Sequence, residues 1–204
     1  YQSSDFGGIS LRGNVDFTPK KWLKGHVNIA YSYSNMNNPN QDGGGAMNNG
    51  FYYVNAIPAI YPVFLRDENG NTYTDPRTGL LAYDYGNELN RSFGFGINPA
   101  GSLLLDKQRQ VQHTINVQGG FEVKLYKGLK LMVDAGFHYY NNLYSSLTNK
   151  YYGDAAGIGR ILQQSSSMVG LSAKELLEYN TTVGDHNIRA MVGHENYYYP
   201  DNYV

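Results

Sequence analysis

The 204-residue sequence contains no cysteine. A disulfide scaffold, a thiolate metal site and a cysteine nucleophile are therefore excluded, although the absence fits both a cytosolic and an outer-membrane protein. An excess of charge is also lacking, since 16 lysines and arginines stand against 17 aspartates and glutamates, for a formal net charge of −1. Nucleic acid is not an expected partner, because binding to a phosphate backbone requires a basic surface.

Long hydrophobic runs are missing as well. A membrane-spanning helix requires roughly 18 to 20 consecutive apolar residues, and the mean hydropathy of this chain is −0.49. Tyrosine and glycine are abundant, with 20 and 24 residues, whereas only 16% of residues are charged. This composition favours β-strands. A membrane barrel would have the same low hydropathy, because its lumen-facing residues dilute its lipid-facing residues.

The clearest strand signal lies between Gln110 and Leu125, where odd positions are almost wholly apolar and even positions are hydrophilic or glycine. Side chains alternate across a strand, so this pattern predicts a long strand with one apolar face. The alternation resumes after Lys127-Gly128, which predicts a hairpin with a tight turn. Two further hairpins are predicted, with turns at Thr18–Trp22 and Gly184–His186. The run Lys174–Glu178 has helical propensity, but we interpret it as strand.

The predicted connections alternate in length. Strand pairs are expected near 8–34, 108–140 and 168–196, with long loops near 35–106 and 141–167. Short periplasmic turns and long extracellular loops are typical of outer-membrane barrels, and alternating runs of about 16 residues exceed the usual 5 or 6 of globular strands. The predicted fold class is therefore all-β, an antiparallel transmembrane β-barrel segment of about six long strands.

Six strands are too few to close a membrane barrel, which needs at least about 8. An open edge in hydrocarbon would leave backbone groups unpaired, so we expect an internal fragment of a larger barrel in the bacterial outer membrane. Tyrosines at the loop-side strand ends, such as Tyr31, Tyr33 and Tyr197–Tyr199, predict an interfacial aromatic girdle. His113 interrupts the apolar face and is predicted to lie near a membrane interface or another protein surface.

Short segments over nearly the whole chain follow, in colinear order, those of one known family. They are Trp22-Leu23-Lys24, Tyr31-Ser32-Tyr33-Ser34, Tyr61-Pro62-Val63-Phe64-Leu65-Arg66-Asp67, Asn69-Gly70-Asn71, Ala82-Tyr83-Asp84-Tyr85-Gly86, Asn98-Pro99-Ala100, Leu103-Leu104-Leu105-Asp106, Lys127-Gly128-Leu129-Lys130-Leu131, Tyr151-Tyr152-Gly153-Asp154, Gly184-Asp185-His186-Asn187-Ile188 and Gly193-His194-Glu195. Together they resemble the SusC-like, also called RagA-like, TonB-dependent transporters of Bacteroidetes outer membranes.

The resemblance implies a barrel of the 22-stranded, plugged class, with the plug domain and most strands lying outside this chain. It implies TonB-energised import of a nutrient, either an oligosaccharide or an oligopeptide. The implied partners are a SusD-like surface lipoprotein, TonB through the plug region, the glycan or peptide ligand and outer-membrane lipid. Neither an enzymatic activity nor a cofactor is expected.

The functional surface is predicted in the loops Asn35–Asp106 and Tyr151–Gln164, which are rich in aromatic and amide residues. Such a mixture can stack on sugars or hydrogen-bond peptide backbones. The alternative is that these aromatics pack a small core of the loop itself. The candidate ligand-binding residues are Tyr52, Tyr53, Tyr83, Tyr85 and Arg91.

Other interpretations remain open at this point. The run Asp67–Asn71, followed by Asp75, superficially resembles a calcium loop, but it lacks EF-hand spacing and a simple turn also explains it. Glu122 and Asp134 are candidates for a glycosidase pair or for charges of the polar face, paired with lysines such as Lys130. A soluble carbohydrate-binding β-sandwich is the second candidate class, and it predicts good expression without detergent.

Overall fold

The computed structural model describes residues 4–38, 55, 58–86, 91–92 and 94–203, and within these ranges most residues lie in strands. The elements in chain order are β1 (Asp5–Lys20), β2 (Leu23–Asn37), α1 (Pro99–Leu105), β3 (Lys107–Tyr126), β4 (Leu129–Thr148), a 3-10 helix (Gly153–Ala155), β5 (Arg160–Val183), β6 (His186–Tyr198) and β7 (Asp201–Tyr203). No helix in these ranges has the length and apolar content needed to cross a membrane.

All strands belong to one antiparallel sheet, in which the six long strands follow the order β1-β2-β3-β4-β5-β6. Each long strand therefore lies beside its neighbour in sequence, as expected for consecutive hairpins. The predicted all-β, antiparallel fold with about six long strands is confirmed.

The three hairpin turns contain two residues each, at Lys21–Trp22, Lys127–Gly128 and Gly184–Asp185. Gly128 and Gly184 have φ angles of 74° and 59°, which residues other than glycine rarely adopt. The first turn is shorter than the predicted Thr18–Trp22, because β1 continues to Lys20.

The second long loop is also shorter than the predicted 141–167, because β4 continues to Thr148 and β5 already begins at Arg160. These strand ends carry mostly asparagine, glutamine and serine on both faces, so they show no alternation of apolar and polar residues. Backbone pairing does not require that alternation, which reports only burial on one face. The run Lys174–Glu178 lies within β5, as predicted.

Strand β7 continues β6 along the edge of β5. Leu171 of β5 lies opposite Tyr198 of β6, and Met168 of β5 lies opposite Asp201 of β7. Both chains advance by three residues between these two pairs, so β7 keeps the register that β6 has with β5. The break falls at Tyr199-Pro200, where proline has no N–H to donate to the ladder.

The apolar face of the sheet is exposed in this chain. On β1, Ile9, Leu11 and Val15 are each 60–63% exposed. On the same face the ring of Phe17 lies over Gly25 of β2, where any Cβ would overlap it. The ring then meets Phe121 of β3 edge-on, with 6.1 Å between centroids, so aromatic packing links β1 to β3 across the intervening strand.

The chain divides into two compact units. The loop unit comprises the described residues within 1–6, 35–110 and 144–164, and the sheet unit comprises those within 7–34, 111–143 and 165–204. The loop unit contains helix α1 and a set of short antiparallel bridges between residues 64 and 83. The sheet unit contains the central parts of the long strands and the three tight turns.

Candidate functional site

Three of the predicted ligand-binding residues are buried in the loop unit. Tyr83, Tyr85 and Arg91 are 8%, 3% and 4% exposed. Tyr52 and Tyr53 lie outside the described residues.

Tyr83 and Tyr85 form part of the hydrophobic core of the loop unit. Tyr85 stacks in parallel on Tyr152, with 4.6 Å between ring centroids, and Tyr83 packs against Phe64. Helix α1 approaches this core through Gly101, where a Cβ would lie 2.5 Å from the Tyr85 hydroxyl oxygen. Burial raises the pKa of Tyr85, so its ring is neutral at physiological pH and serves as packing surface.

Arg91 is the ionic partner of Asp84, whose side chain is completely buried. One guanidinium nitrogen lies 3.4 Å from the Asp84 carboxylate, and the other donates to the carbonyls of Gly94 and Ile97, each at 2.6 Å. The second Asp84 oxygen accepts the backbone N–H of Gly86 at 2.7 Å. A buried charge needs such partners, because an isolated one is costly to desolvate; among the described residues only the Arg91 Nε is buried without a hydrogen-bond partner.

Asn98 connects this ion pair to helix α1. Its side-chain nitrogen donates to the carbonyls of Val63 and Asp84 at 2.8 and 2.9 Å. Its side-chain oxygen accepts the N–H of Gly101 as the N-cap of α1, with Pro99 in the first turn. The buried polar groups thus fix the loop backbone to the helix that follows it.

Asp75 joins the first loop to the second. Its carboxylate accepts three hydrogen bonds from Arg77 at 2.9–3.1 Å and one from the Tyr152 hydroxyl. The Arg77 guanidinium also lies over the Tyr152 ring, 4.9 Å from its centroid. Hydrogen bonding from Arg77 lowers the pKa of Asp75 to about 2, against the opposing effect of burial.

This pKa predicts an acid-sensitive loop unit. The pKa of Asp75 is depressed in the folded state, so its stabilisation is complete above pH of about 4 and is lost as the pH falls towards 2. We expect pepsin to cleave the loops of the folded protein faster at pH 2 than at pH 4, relative to an unstructured peptide substrate. An Asp75→Asn variant should be cleaved faster at pH 4 and should lack the acid step; an unchanged step in that variant would contradict the assignment.

The geometry of Tyr83, Tyr85 and Arg91 supports the alternative in which the loop aromatics pack their own core. Their rings and charged groups contact other parts of the loop unit. Sequence reasoning did not identify Asp75, Asp84, Asn98 or Tyr152 as the residues that organise this unit.

The run Asp67–Asn71 forms a turn. One Asp67 carboxylate oxygen accepts the N–H groups of Asn69 and Asn71 at 2.9 and 2.8 Å, and Gly70 has a φ angle of 83°. This is the pattern of an aspartate that closes a turn on its own backbone. The described ranges contain no group of three or more histidines and carboxylates that could hold a metal ion.

The polar face of the sheet unit carries ion pairs near the tight turns. Lys130 lies 3.7 Å from Glu122 and 3.2 Å from Glu178, and Arg189 lies 2.5 Å from Glu178. The Asp134 carboxylate instead lies 3.2 Å from the His26 ring. This pair crosses over Gly120, where a Cβ would overlap the Asp134 carboxylate. Glu122 and Asp134 thus have separate basic partners, Lys130 and His26, which supports their interpretation as charges of the polar face.

Further along the same face lies a depression of about 640 Å³, which we call the polar trough. It is lined by residues of β1 to β5, most of them on the polar face, together with Tyr199. The side chains that give it chemical character are those of Arg12, Asn14, Asn28, Asn116, Gln118 and His138. The alternation of apolar and polar residues predicts that these positions lie on the polar face, but they were not predicted to form a site.

On the apolar face His113 belongs to an aromatic cluster. Its Nδ1 lies 3.0 Å from the Tyr31 hydroxyl, and its ring centroid lies 5.1 Å from that of Tyr33. The histidine thus has a polar partner on a face that is otherwise apolar. Its location at a membrane interface stays a prediction.

These features define a class of fold, a segment of an antiparallel β-barrel of the kind found in large transporters. No family model and no curated protein matches the sequence. Among solved structures, that of the RagAB peptide transporter aligns with 97% of the chain, with a TM-score of 0.72 and 22% sequence identity. The RagAB peptide importer in its closed-closed and open-open states gives TM-scores of 0.71 and 0.70 at 23% and 24% identity, over 97% and 96% of the chain.

The alignment covers 20–21% of those longer chains, so this chain spans about a fifth of their length. At this level of identity the likeness establishes the fold.

Proposed function

We propose that this chain forms part of the barrel wall of an outer-membrane nutrient importer, with oligopeptide as the favoured cargo. The observation that carries the proposal is the match over 97% of the chain to a protein described as a peptide transporter. The resemblance of the sequence to SusC-like transporters points the same way and does not depend on the structure.

The two faces of the sheet fit this role. Rows of exposed Ile, Leu, Val and Phe on one face suit contact with lipid tails, whereas ion pairs and amides on the other suit a wet lumen. A soluble β-sandwich would bury the apolar face. The separate partners of Glu122 and Asp134 also give no support to a glycosidase.

The energy source and the partner follow from the family resemblance. We propose that TonB drives opening through a plug region outside this chain, and that a SusD-like surface lipoprotein delivers the ligand. We propose that the loop unit contacts this lipoprotein.

The proposal predicts where the whole protein is found and what its loss abolishes. We expect it in the detergent-extracted outer-membrane fraction, and we expect its gene deletion to reduce uptake of a labelled oligopeptide mixture to background. Uptake of the same mixture should also stop in a strain without TonB. A matched labelled oligosaccharide mixture tests the other cargo.

Two results would overturn the proposal. One is a whole protein that stays dispersed in buffer without detergent. The other is a deletion strain that takes up both labelled mixtures at the wild-type rate.

A further inference from the structure

The turn at Asp67–Asn71 places an asparagine directly before a glycine on the surface of the loop unit. Asn69 and Gly70 are both exposed, and no atom lies within 4 Å of the position that a Cβ of Gly70 would take. Among the described residues, no hydrogen bond holds the side-chain amide of Asn69. The amide is therefore free to rotate towards the backbone that follows it.

An asparagine followed by glycine has a chemical reactivity of its own. The backbone nitrogen of the next residue can attack the side-chain carbonyl carbon of asparagine, and this attack closes a five-membered imide ring. A side chain on the next residue obstructs the approach, most of all when it is β-branched, whereas glycine has no side chain. Asn69 is the only asparagine followed by glycine within the described ranges, so its amide is the least hindered of those described.

The folded turn restrains the attacking nitrogen only weakly. The Gly70 N–H donates to the Asp67 carbonyl at 2.9 Å, and this hydrogen bond must open before the nitrogen can attack. An exposed hydrogen bond contributes little net stability, so its opening slows the reaction by about tenfold or less. Asn69 therefore stays reactive in the folded loop unit.

We propose that Asn69 is a site of spontaneous deamidation in the folded protein. A bond forms from the Gly70 nitrogen to the Asn69 Cγ, the bond from Cγ to Nδ2 breaks, and ammonia leaves with the proton of the Gly70 nitrogen. Water then opens the imide at either of its two carbonyls. The net reaction exchanges ammonia for water, needs no enzyme or oxidant, and yields aspartate or isoaspartate at position 69. This inference does not depend on the proposed import function.

The modification would alter the turn in two ways. Isoaspartate adds one carbon to the backbone of a turn that is closed by the hydrogen bond from the Asp67 N–H to the Asn71 carbonyl at 2.9 Å. Either product also adds a negative charge near the Asp67 carboxylate, which accepts the N–H groups of residues 69 and 71 at 2.9 and 2.8 Å. Both changes oppose the native turn, so proteinase K should digest the modified loop unit faster.

The test uses the whole protein, purified in detergent and incubated at 37 °C and pH 8 in water enriched in the heavy isotope of oxygen. Tandem mass spectrometry of its peptides then locates each converted asparagine. We expect residue 69 to gain one heavy oxygen in place of its amide nitrogen and to give two products, isoaspartate and aspartate. Asn71 and Asn187 are matched internal controls, because each is exposed and precedes a β-branched residue. We expect both to convert at least about tenfold more slowly than Asn69.

An Asn69→Gln variant connects the chemistry to the turn. It keeps an amide but lengthens the side chain by one carbon, which disfavours ring closure, so its peptide should keep its mass. After the same incubation, proteinase K should digest the loops of this variant as slowly as those of freshly purified protein. The incubated wild type should be digested faster.

Three results would overturn the inference. One is conversion of Asn69 at the same rate as Asn71 and Asn187. Another is an unmodified Asn69 in the folded protein, even if the heat-unfolded protein converts, because the fold or another part of the whole protein would then shield it. The third is aspartate as the sole product, which would indicate direct hydrolysis of the amide by water without an imide.

Discussion

Replacing Gly128 with alanine is expected to destabilise the folded barrel by roughly 2–4 kcal/mol. About 1 kcal/mol or more comes from forcing a residue with a Cβ to a φ angle of 74°. The rest comes from overpacking, because the new Cβ would overlap the backbone carbonyl of Asn180 on β5. The backbone cannot move aside cheaply, since the Asn180 N–H donates to the Gly128 carbonyl at 2.7 Å.

Gly184→Ala provides the matched control. Gly184 also has a positive φ angle, of 59°, but no atom lies within 4 Å of the position of a new Cβ. We expect this variant to lose only the conformational part, about 1 kcal/mol. The measurement is the temperature at which the heat-modifiable band of the whole protein converts to its unfolded form. Equal losses in the two variants would show that the clash with Asn180 contributes nothing.

Replacing Arg91 with methionine is expected to destabilise the loop unit by about 3–5 kcal/mol, because removal of one partner leaves a buried charge uncompensated. Among the described residues, the Asp84 carboxylate would then retain only its hydrogen bond from the Gly86 backbone N–H. The carbonyls of Gly94 and Ile97 would lose their hydrogen bonds from the guanidinium at the same time. Limited digestion with proteinase K, which does not depend on arginine, should cut the loops much faster while the barrel keeps its heat-modifiable band.

Two comparisons make this result specific. Arg66→Met removes an exposed arginine of the same unit that donates to the Gly70 carbonyl, and we expect it to change the digestion rate little. Arg91→Met combined with Asp84→Asn removes both charges and should recover part of the protection. If Arg91→Met left the loops intact and abolished only ligand binding, the predicted ligand-binding role would be right and the packing role wrong.

The hairpins were predictable because one face of each strand is apolar over many residues. In β3 the alternation from Gln110 to Leu125 gives the strand, its faces and its direction into the turn at Gly128. The last residues of β4 and the first of β5 were missed because both of their faces are polar. Hydrophobic periodicity reports contact with an apolar medium, and these strand ends extend beyond the apolar rows.

The loop unit was harder to predict. The pattern Tyr83-Asp84-Tyr85 indicates a short extended segment, but it is the same whether the tyrosines face a ligand or a core. The decisive contacts are non-local, such as Tyr85 with Tyr152 and Asp75 with Tyr152. A single sequence contains no signal for such pairs, and the burial of Asp84 contradicts the usual exposure of aspartate. The polar trough was missed for the same reason, since five strands contribute to it and each supplies only two or three residues.

The Phe17 ring over Gly25 has a consequence for how the strands find their alignment. If β2 slid by two residues in either direction, Leu23 or Val27 would replace the glycine beneath the ring, and the aromatic side chain would have no room. A shift by one residue would put Lys24 or His26 on the apolar face. The absence of a side chain at position 25 thus selects one register of the first hairpin over its neighbours, because only glycine leaves room for the Phe17 ring.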